Sequence, residues 1–513
     1  MITGQNLVGG EWQSNNSSKY FKTSNPKTGK NLSISFEQAS EDQTNLAVDS
    51  ATSVFELYSN TTLKERAQFL GIIQDELKIL KPQILYCYQA ESSFPEGRAF
   101  GEFDRTMDQI DRFIDLLNEG SFLQATIQTQ SPDLRKTLVS IGPIVVFGAS
   151  NFPLAFSTAG GDTISALAAG CPVILKAHPY HAGTSEWVAR AINNALIKCD
   201  LPLEIFSHLG GQSFTVGSQL VMHPNIKGVG FTGSFKGGKA LYDMSQKRIE
   251  PIPVFAEMGS INPVFILENK LKSDINLAEI LGQSIGLGIG QFCTNPGLIV
   301  IHDPREETDF INSLQMKIKE LSLGPMVHSQ IESNYNQQLI QLKNKKELLQ
   351  VTASENSCAA LGVTSASIFL ENLDLAEEVF GPFSLVVQCK ESSELLALAA
   401  KLPGQLTATI LGDINDRNIL QKLLPILKEK AGRLLFEGVP TGVAVTQAMQ
   451  HGGPYPATTD CRFTSVGSDS IYRWLRPLSY QDCPNELLPA ALQNENPLQL
   501  SRKVDGVFTN SAI

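Results

Sequence analysis

The chain contains 513 residues, which is more than one hydrophobic core usually supports, so we expect two sizeable domains and a small appendage. Hydrophobic residues make up 42% and charged residues 18%, a balance typical of globular proteins that excludes a mainly disordered chain. The formal net charge of -11 disfavours nucleic acid and anionic membranes as partners, because binding to phosphates requires clustered lysine and arginine.

The first residues and the cysteines indicate a cytoplasmic protein. Residues 1–12 have no basic segment leading into an apolar stretch, so we expect no signal peptide, and no run of twenty apolar residues predicts a membrane span. Eight dispersed cysteines form no C-x-x-C pair, as expected of reduced thiols. The seven histidines lack the spacing of metal ligands, so no protein-bound metal is predicted.

The first 140 residues combine helices with one polar ribbon. Apolar positions recur at intervals of three and four over 63–80 and 107–117, which predicts helices. Residues 121–140 are rich in Thr, Gln and Ser, and a Ser-Pro-Asp turn at 131–133 predicts a hairpin. Because a protruding ribbon often pairs with another subunit, we expect a homodimer or homotetramer.

From residue 144 onward, short apolar strands alternate with helices. This rhythm predicts an α/β fold in which helices cover both faces of parallel sheets. The predicted strands are 144–147, 173–175, 228–231, 253–256, 263–267 and 298–301, and the predicted helices are 162–169, 184–197 and the glycine-rich 278–290. The second half repeats the rhythm to about residue 450.

Cys293 is the candidate nucleophile. It lies in Gln-Phe-Cys-Thr at 291–294, after a glycine-rich segment and before Pro296-Gly297. A cysteine on such a turn can present its sulfur to a ligand, and nearby backbone N–H groups can lower its pKa and bind an oxyanion. The alternative is a small buried apolar residue, which is the commoner role of an isolated cysteine.

Glu257 is the candidate general base. It ends the apolar stretch Val-Phe-Ala-Glu just before Gly259. A carboxylate in apolar surroundings has a raised pKa and can accept a proton near neutral pH. The alternative is a glutamate that caps local backbone N–H groups.

Two further strand ends carry polar side chains. Asn151 follows Gly148 in Phe-Gly-Ala-Ser-Asn-Phe-Pro, where small residues let a nucleotide approach and an amide can stabilise an oxyanion. Lys176 ends the next strand, at the edge where open α/β sheets bind ligands. The alternatives are a turn-capping asparagine and an ordinary surface lysine.

Together, these four segments resemble the aldehyde dehydrogenase superfamily over nearly the whole chain. The resemblance implies two Rossmann-like open parallel-sheet domains and a small β oligomerisation element. It assigns 1–122 and 141–257 to the NAD(P)-binding domain, 258–465 to the catalytic domain, and 123–140 with 466–513 to the oligomerisation element. A G-x-G-x-x-G fingerprint is absent, and this superfamily does not use one in the usual way.

The resemblance also implies roles for site residues. Cys293 attacks the aldehyde, Asn151 and the Cys293 N–H stabilise the oxyanion, and a hydride leaves for NAD or NADP. Glu257 then activates the water that hydrolyses the thioester. The remaining implied cofactor contacts are Lys176 and Glu378 at the ribose hydroxyls, Phe380 near the nicotinamide, Gly233 and Ser234 near the pyrophosphate, and Gly148 and Pro179 along the nucleotide.

Two stretches resemble the branch that oxidises α-ketoglutaric semialdehyde (2,5-dioxopentanoate), namely 151–163 and 440–460. A substrate carboxylate requires a cation, because an unpaired buried carboxylate is costly. Arg105 and Phe156 are the predicted substrate residues, although Phe103 stands where the branch often has a second arginine. Glu437 departs from the neutral residue of the branch. A helical Arg105 paired with a neighbouring acid is the alternative, and it leaves a medium- or long-chain aliphatic aldehyde open.

The cofactor and the class of reaction have alternatives as well. NAD-selective relatives carry a glutamate three positions after the lysine, but Pro179 stands there, so repulsion of a 2′-phosphate is lifted and NADP is tolerated. A CoA-acylating enzyme is the second hypothesis, against which Glu257 argues because a water-activating base suits hydrolysis. The third is a catalytically silent structural paralogue.

Overall fold

The computed structural model describes residues 1–15, 19–305, 309–345 and 350–513. Helices surround three larger sheets and two small strand pairs. The α-helices of the described residues are Glu41–Ser59, Leu63–Ser92, Glu96–Glu119, Gly161–Ala169, Ala182–Lys198, Phe214–Met222, Phe235–Gln246, Glu268–Ser273, Leu277–Gly286, Asp309–Glu320, Ser329–Lys343, Ala366–Glu371, Ser392–Lys401 and Arg417–Lys428. None of these described helices is both long and apolar enough to cross a bilayer.

The first sheet has seven strands, of which five run parallel. In order across the sheet they are Val254–Glu257, Gly228–Thr232, Ile144–Phe147, Val173–Lys176, Phe206–Leu209, Asn6–Val8 and Glu11–Gln13. The last two are antiparallel to their neighbours. Because the other five are parallel, their carboxyl ends meet at one edge, where ligands bind in open α/β sheets.

The second sheet also has seven strands. In order they are Gln350–Ala353, Ala360–Ser365, Phe383–Cys389, Leu298–His302, Val264–Ile266, Gln405–Leu411 and Ala431–Phe436. Only the Gln350–Ala353 strand is antiparallel to its neighbour within the described part of this sheet. The central strands are buried, as expected of a parallel sheet covered on both faces.

The third sheet joins the polar ribbon to the end of the chain. Its strands in order are Leu475–Gln481, Leu134–Ser140, Thr126–Gln128, Arg502–Val504 and Val507–Thr509. The predicted fold class, two Rossmann-like sheets with a small β element, is confirmed. Two strand pairs, Tyr20–Phe21 with Phe36–Glu37 and Ser24–Asn25 with Lys30–Asn31, complete the strands of the described residues.

The predicted glycine-rich helix over 278–290 is too long. The helix ends at Gly286, and Gly288, Ile289 and Gly290 then adopt left-handed backbone conformations with φ of 58°, 61° and 64°. Three successive residues of this kind cannot continue a right-handed helix. They turn the chain sharply, so that the segment carrying Cys293 faces the first sheet.

Candidate active site

The Cys293 loop is held against the second sheet by Asn262. The Asn262 amide donates to the carbonyl oxygens of Cys293 at 2.8 Å and Asn295 at 2.9 Å, and its own oxygen accepts from Thr407 at 3.1 Å. Asn262 has a φ of 44°, a conformation that asparagine tolerates better than most residues. Sequence reasoning missed this residue, for which the tight turn between two apolar strands was the available signal.

Gly290 provides a second close contact of the Cys293 loop. A Cβ atom at Gly290 would lie 2.2 Å from the carbonyl carbon of Gly381 and from the nitrogen of Pro382. The Asn295 amide also donates to the Gly381 carbonyl at 3.2 Å. The nucleophile loop and the 378–382 segment are therefore in direct backbone contact, which only glycine at position 290 permits.

Glu257 lies at the end of its strand and is almost fully buried. One carboxylate oxygen accepts a hydrogen bond from the Ser465 hydroxyl, and the other lies 3.0 Å from Nε2 of His451. The prediction that this glutamate sits at a buried strand end is therefore met by the geometry. Its two neighbours come from a part of the chain about 200 residues further on.

His451 is the main residue that sequence reasoning missed. Its Nε2 lies 3.3 Å from Sγ of Cys293, so one imidazole contacts both the nucleophile and Glu257. The histidine is 1% exposed. It stands at the start of the motif His-Gly-Gly-Pro-Tyr-Pro-Ala-Thr-Thr-Asp, and the available signal was the residue type, since histidine is a common acid–base group.

The segment 451–459 is delivered to the site by backbone pairing. Ala457 and Thr459 bond the backbone of Met258 and Ala256 along the outer edge of the first sheet, with Thr458 opposite Glu257. Gly453 allows the segment to pass close to the second sheet, because a Cβ atom there would lie 2.1 Å from the carbonyl oxygen of Gln405. The chain therefore passes from one sheet to the other at His451.

Both predicted pKa shifts of the catalytic pair are wrong in direction. Burial and then the charge of Glu257 raise the pKa of the Cys293 thiol well above its usual range. Burial raises the pKa of Glu257 as well, but His451, Ser465 and Cys293 together outweigh burial and hold that pKa below its ordinary value. The carboxylate is thus ionised, and its charge opposes the formation of a thiolate beside it.

Asn151 lies close to the nucleophile loop. Its side-chain amide donates to the carbonyl of Gln291 at 2.9 Å, and one N–H of that amide remains for a ligand. The backbone of the Asn151 segment is fixed from behind, since Arg98 donates to the Asn151 carbonyl at 2.8 Å and buried Glu102 accepts from the N–H groups of Leu154 and Ala155. These three hydrogen bonds hold the backbone of the segment in place.

Lys176 and Gly148 lie at the carboxyl edge of the first sheet. The Lys176 amine donates to the carbonyls of Ala177, at 3.0 Å, and Gly211, and burial lowers its pKa to about 8. A Cβ at Gly148 would lie 2.7 Å from the Ser157 hydroxyl, so this position requires close packing. Pro179 begins a short 3₁₀ turn three residues after the lysine.

Gly233 and Ser234 begin the helix Phe235–Gln246. The Ser234 side chain accepts from the Gly237 N–H at 3.2 Å, and the first turn of the helix is exposed. An exposed helix N-terminus offers free N–H groups and a favourable dipole to phosphate. Gly233 donates its N–H to the Glu257 carbonyl at 3.0 Å, which ties this turn to the catalytic strand.

Glu378 and Phe380 are half-buried next to the end of the Glu257 strand. A Cβ at Gly259 would lie 2.1 Å from a carboxylate oxygen of Glu378, so the glycine makes room for this side chain. Burial raises the pKa of Glu378 to about 7. The carboxyl edge of the first sheet thus carries Lys176, the Glu378 carboxylate and the exposed N-terminus of the helix Phe235–Gln246. This set of hydrogen-bond donors and acceptors fits a dinucleotide.

The predicted substrate residues, Arg105 and Phe156, lie next to each other. The Arg105 guanidinium is 5.7 Å from the centre of the Phe156 ring, and it donates to the Val443 carbonyl. No further hydrogen bond of Arg105 is found among the described residues. The Phe156 ring is 6.2 Å from that of His451, and a cavity of about 10 Å³ runs from Arg105 to Ser465, enough for about one water molecule.

Arg433 is a second cation that sequence reasoning missed. It donates to the carbonyls of Pro440 at 2.8 Å and Gly442 at 3.2 Å, on the same loop that Arg105 contacts. Burial lowers the pKa of both guanidinium groups, whereas a thiolate at Cys293 would raise the pKa of each. Glu437, by contrast, is exposed and pairs with Lys270 at 2.7 Å, which removes it from the substrate side.

Three comparisons relate the chain to known proteins. The model of the aldehyde dehydrogenase family matches residues 12–420. Alpha-ketoglutaric semialdehyde dehydrogenase 2 of Azospirillum brasilense is 42% identical over 98% of this chain and 99% of its own length. Alpha-ketoglutaric semialdehyde dehydrogenase of Acinetobacter baylyi is 41% identical over 93% of each chain.

The solved structures agree on the fold. Betaine aldehyde dehydrogenase of Staphylococcus aureus, a point mutant in complex with NAD+, superposes with a TM-score of 0.80 over 94% of this chain and 98% of that one. Its identity to this chain is 16%, so the likeness concerns the architecture alone.

Proposed function

Because the chain belongs to the aldehyde dehydrogenase family, whose members use NAD or NADP, we propose that it oxidises α-ketoglutaric semialdehyde to 2-oxoglutarate. The observation that carries this substrate is the pair of guanidinium groups, Arg105 and Arg433, which contact the same loop at 440–443 and interact electrostatically with Cys293. A partly buried cation with a lowered pKa gains most from an anionic ligand. The relatives that are 41–42% identical bear the same substrate in their names, and the aliphatic alternative is not favoured.

The first chemical step is a proton transfer within the site. His451 accepts the thiol proton from Cys293 through the 3.3 Å contact, and the thiolate forms a bond to the aldehyde carbon. The imidazolium that results is stabilised by Glu257 at 3.0 Å. Glu257 thereby turns from an obstacle to thiolate formation into a stabiliser of the ion pair.

The oxyanion of the tetrahedral adduct needs donors. The free N–H of the Asn151 amide and the backbone N–H of Cys293 supply them, each worth about 3 kcal/mol when well placed. A bound dinucleotide would supply the hydride acceptor. Lys176 and Glu378 would hold its ribose hydroxyls, Gly233 and Ser234 would bind its pyrophosphate, Gly148 and Pro179 would line it, and Phe380 would pack at its nicotinamide ring.

The thioester is resolved by water. Glu257 is ionised and buried, and once the sulfur is acylated it can accept a proton from a water molecule that attacks the carbonyl carbon. Ser465 holds the second oxygen of the carboxylate and lines the cavity that reaches toward Arg105. The products are the carboxylic acid and the free thiol.

We further propose the domain division 1–122 with 141–257, 258–465, and 123–140 with 466–513. The three sheets support it, since the described strands of each sheet lie wholly within one of these units. The third sheet presents the ribbon from which we infer a homodimer or homotetramer. A cytoplasmic location fits eight cysteines that form no disulfide.

Initial rates of NAD(P)H formation test the function. The substrates are 2,5-dioxopentanoate, succinic semialdehyde, hexanal and decanal, each with NAD+ and NADP+, and Cys293→Ala serves as the blank. We expect the highest kcat/KM for 2,5-dioxopentanoate. Preference for the alkanals would instead indicate an aliphatic aldehyde dehydrogenase, and activity no higher than the blank would contradict the hydrolytic dehydrogenase for these substrates.

Arg105→Gln and Arg433→Gln test the carboxylate contact. Each should raise KM for 2,5-dioxopentanoate about tenfold or more, because a hydrogen bond to a charged group contributes about 1.5–3 kcal/mol. KM for hexanal should stay nearly constant, which separates a lost ion pair from a disturbed fold. The exposed Arg462→Gln is the matched control. Equal losses with both substrates would contradict the proposed contact.

A further inference from the structure

The three side chains at the nucleophile have a property that aldehyde oxidation does not use. Glu257, Cys293 and His451 each offer one donor atom, an oxygen, a sulfur and a nitrogen, and all three atoms lie within 4.8 Å of one another. Two of the separations are 3.0 and 3.3 Å. The histidine and the carboxylate are almost fully buried, so they are oriented by the fold.

The hydrogen bonding of this group is incomplete. A single proton on Nε2 of His451 cannot serve both the sulfur and the carboxylate at full strength. Oε1 of Glu257 and Nδ1 of His451 are buried atoms with no hydrogen bond of good geometry among the described residues. Buried atoms of this kind are costly unless a ligand or water completes them.

Zinc(II) has the matching preferences. It binds thiolate sulfur at about 2.3 Å, imidazole nitrogen at about 2.0–2.1 Å and carboxylate oxygen at about 2.0–2.2 Å, in tetrahedral geometry. Those bond lengths place ligand atoms about 3.3–3.6 Å apart. The observed separations need only small side-chain movements to reach them.

We propose that Zn²⁺ binds Cys293, His451 and Glu257 and reversibly inactivates the enzyme. The Cys293 thiol loses its proton to solvent, a Zn–S bond forms, and no redox change occurs. The fourth position takes water. The metal occupies the sulfur lone pair needed to attack the aldehyde and the carboxylate needed to activate water, so both halves of the reaction stop.

The metal site was not visible in the sequence. The prediction of no protein-bound metal rested on the absence of short ligand motifs, whereas these ligands are separated by 36 and 158 positions. The proposal concerns an inhibitory ion. It leaves catalysis by the metal-free enzyme unchanged, and only the inhibition part rests on the proposed function.

Equilibrium dialysis of the reduced full-length protein against ZnCl₂ alone tests binding. We expect one tight site per chain. Cys293→Ser and His451→Gln should each weaken it by about 100-fold or more, because even changes outside the first ligand sphere cost about 10–100-fold. Cys461→Ser removes an exposed cysteine and should bind like the wild type. Loss of the tight site in Cys461→Ser, or its retention in both other variants, would overturn the proposal.

Co²⁺ provides a readout that does not depend on activity. A sulfur-to-cobalt charge-transfer band should appear in the wild type and be absent in Cys293→Ser, while unfolding midpoints show that both proteins are folded. In rate assays, Zn²⁺ should inhibit competitively with the aldehyde, and a chelator should restore the rate. If the metal binds but no aldehyde is oxidised, the proposed function fails and the site stands. If the enzyme is active and Zn²⁺ at saturation leaves the rate unchanged, the inhibitory role is wrong.

Discussion

At the scale of single residues, the site derives its properties from neighbours that are distant in the chain. Cys293 alone has a thiol with a raised pKa, and Glu257 alone would raise it further. His451 changes this balance, because an imidazole that accepts the proton leaves a thiolate–imidazolium pair next to a carboxylate. The histidine therefore carries the activation that the sequence reading assigned to backbone N–H groups.

His451→Gln should reduce kcat by about 10²–10⁴-fold, the usual contribution of a positioned acid–base group. The rate should recover partly at high pH, because hydroxide can then deprotonate Cys293 without the imidazole. The pH dependence of kcat and the rate of iodoacetamide labelling at Cys293 measure the effect. His302→Gln, a half-buried histidine outside the site, is the control. An unchanged pH profile in the His451 variant would show that the histidine does not activate the thiol.

Glu378→Gln tests the ribose contact through pH. The pKa of Glu378 is raised to about 7, so the side chain is mostly protonated below pH 7 and ionised above it. A carboxylate accepts hydroxyl donors better than a carboxylic acid, and KM for the dinucleotide should therefore fall as pH rises through 7. In Glu378→Gln this dependence should disappear. A wild-type KM that is flat between pH 6 and 8 would contradict the role.

The raised pKa of Glu378 also has a cost in stability. Because the folded state binds the proton more tightly than the unfolded state does, the free energy of unfolding of the dinucleotide-free protein should decrease between about pH 4.5 and 7 at this group. Lys176 has the opposite shift for a base. Its pKa is lowered from 10.5 to about 8, so the unfolded state binds more protons at this group between these two pH values. The free energy of unfolding should therefore increase as the pH rises from about 8 to 10.5.

At the scale of elements, glycines determine where the loops of the site meet. Gly290 both adopts a φ of 64° and lies against the Gly381–Pro382 backbone. The sequence predicted that the glycines near Cys293 matter but extended the helix through them. The predicted helix was too long because the apolar periodicity of the sequence continues past Gly286. The left-handed conformations of residues 288–290 end the helical hydrogen bonds there.

Gly290→Ala should reduce kcat/KM by about 100-fold, because a displacement of about 1 Å at the nucleophile has that effect. Gly438→Ala is a matched control, since Gly438 has a φ of 78° and a Cβ there meets nothing within 4 Å. Both variants carry the strain of a left-handed alanine, and only the first adds the backbone clash. Similar rates for the two variants would refute the argument from close approach.

At the scale of the whole molecule, the fold class followed from the alternation of strands and helices, and the carboxyl-edge positions of Asn151, Lys176 and Glu257 followed from it. The pairing of 451–459 with the Val254–Glu257 strand did not. It depends on a few backbone hydrogen bonds between segments about 200 residues apart, and no local pattern encodes such a register. His451 remained hidden for that reason.

Trp474 joins the third sheet to the first domain and offers a test at this scale. It is fully buried, and its indole N–H donates to the Ser165 hydroxyl at 2.7 Å. Trp474→Ala should destabilise the protein by about 3–5 kcal/mol through the cavity it leaves. Trp474→Phe should cost less, because it mainly leaves the buried hydroxyl without its donor. Urea unfolding measures both, and equal midpoints would contradict the packing role.

The crossing of the chain at His451 has a consequence for synthesis. A nascent chain that has emerged only as far as residue 440 carries Cys293, Glu257 and Asn151 but neither His451 nor Thr458, which pairs with Glu257. Its thiol has no imidazole to accept the proton. The activation of Cys293 that we assign to His451 therefore requires the segment that begins at residue 451 to have been made and to have paired with the Val254–Glu257 strand.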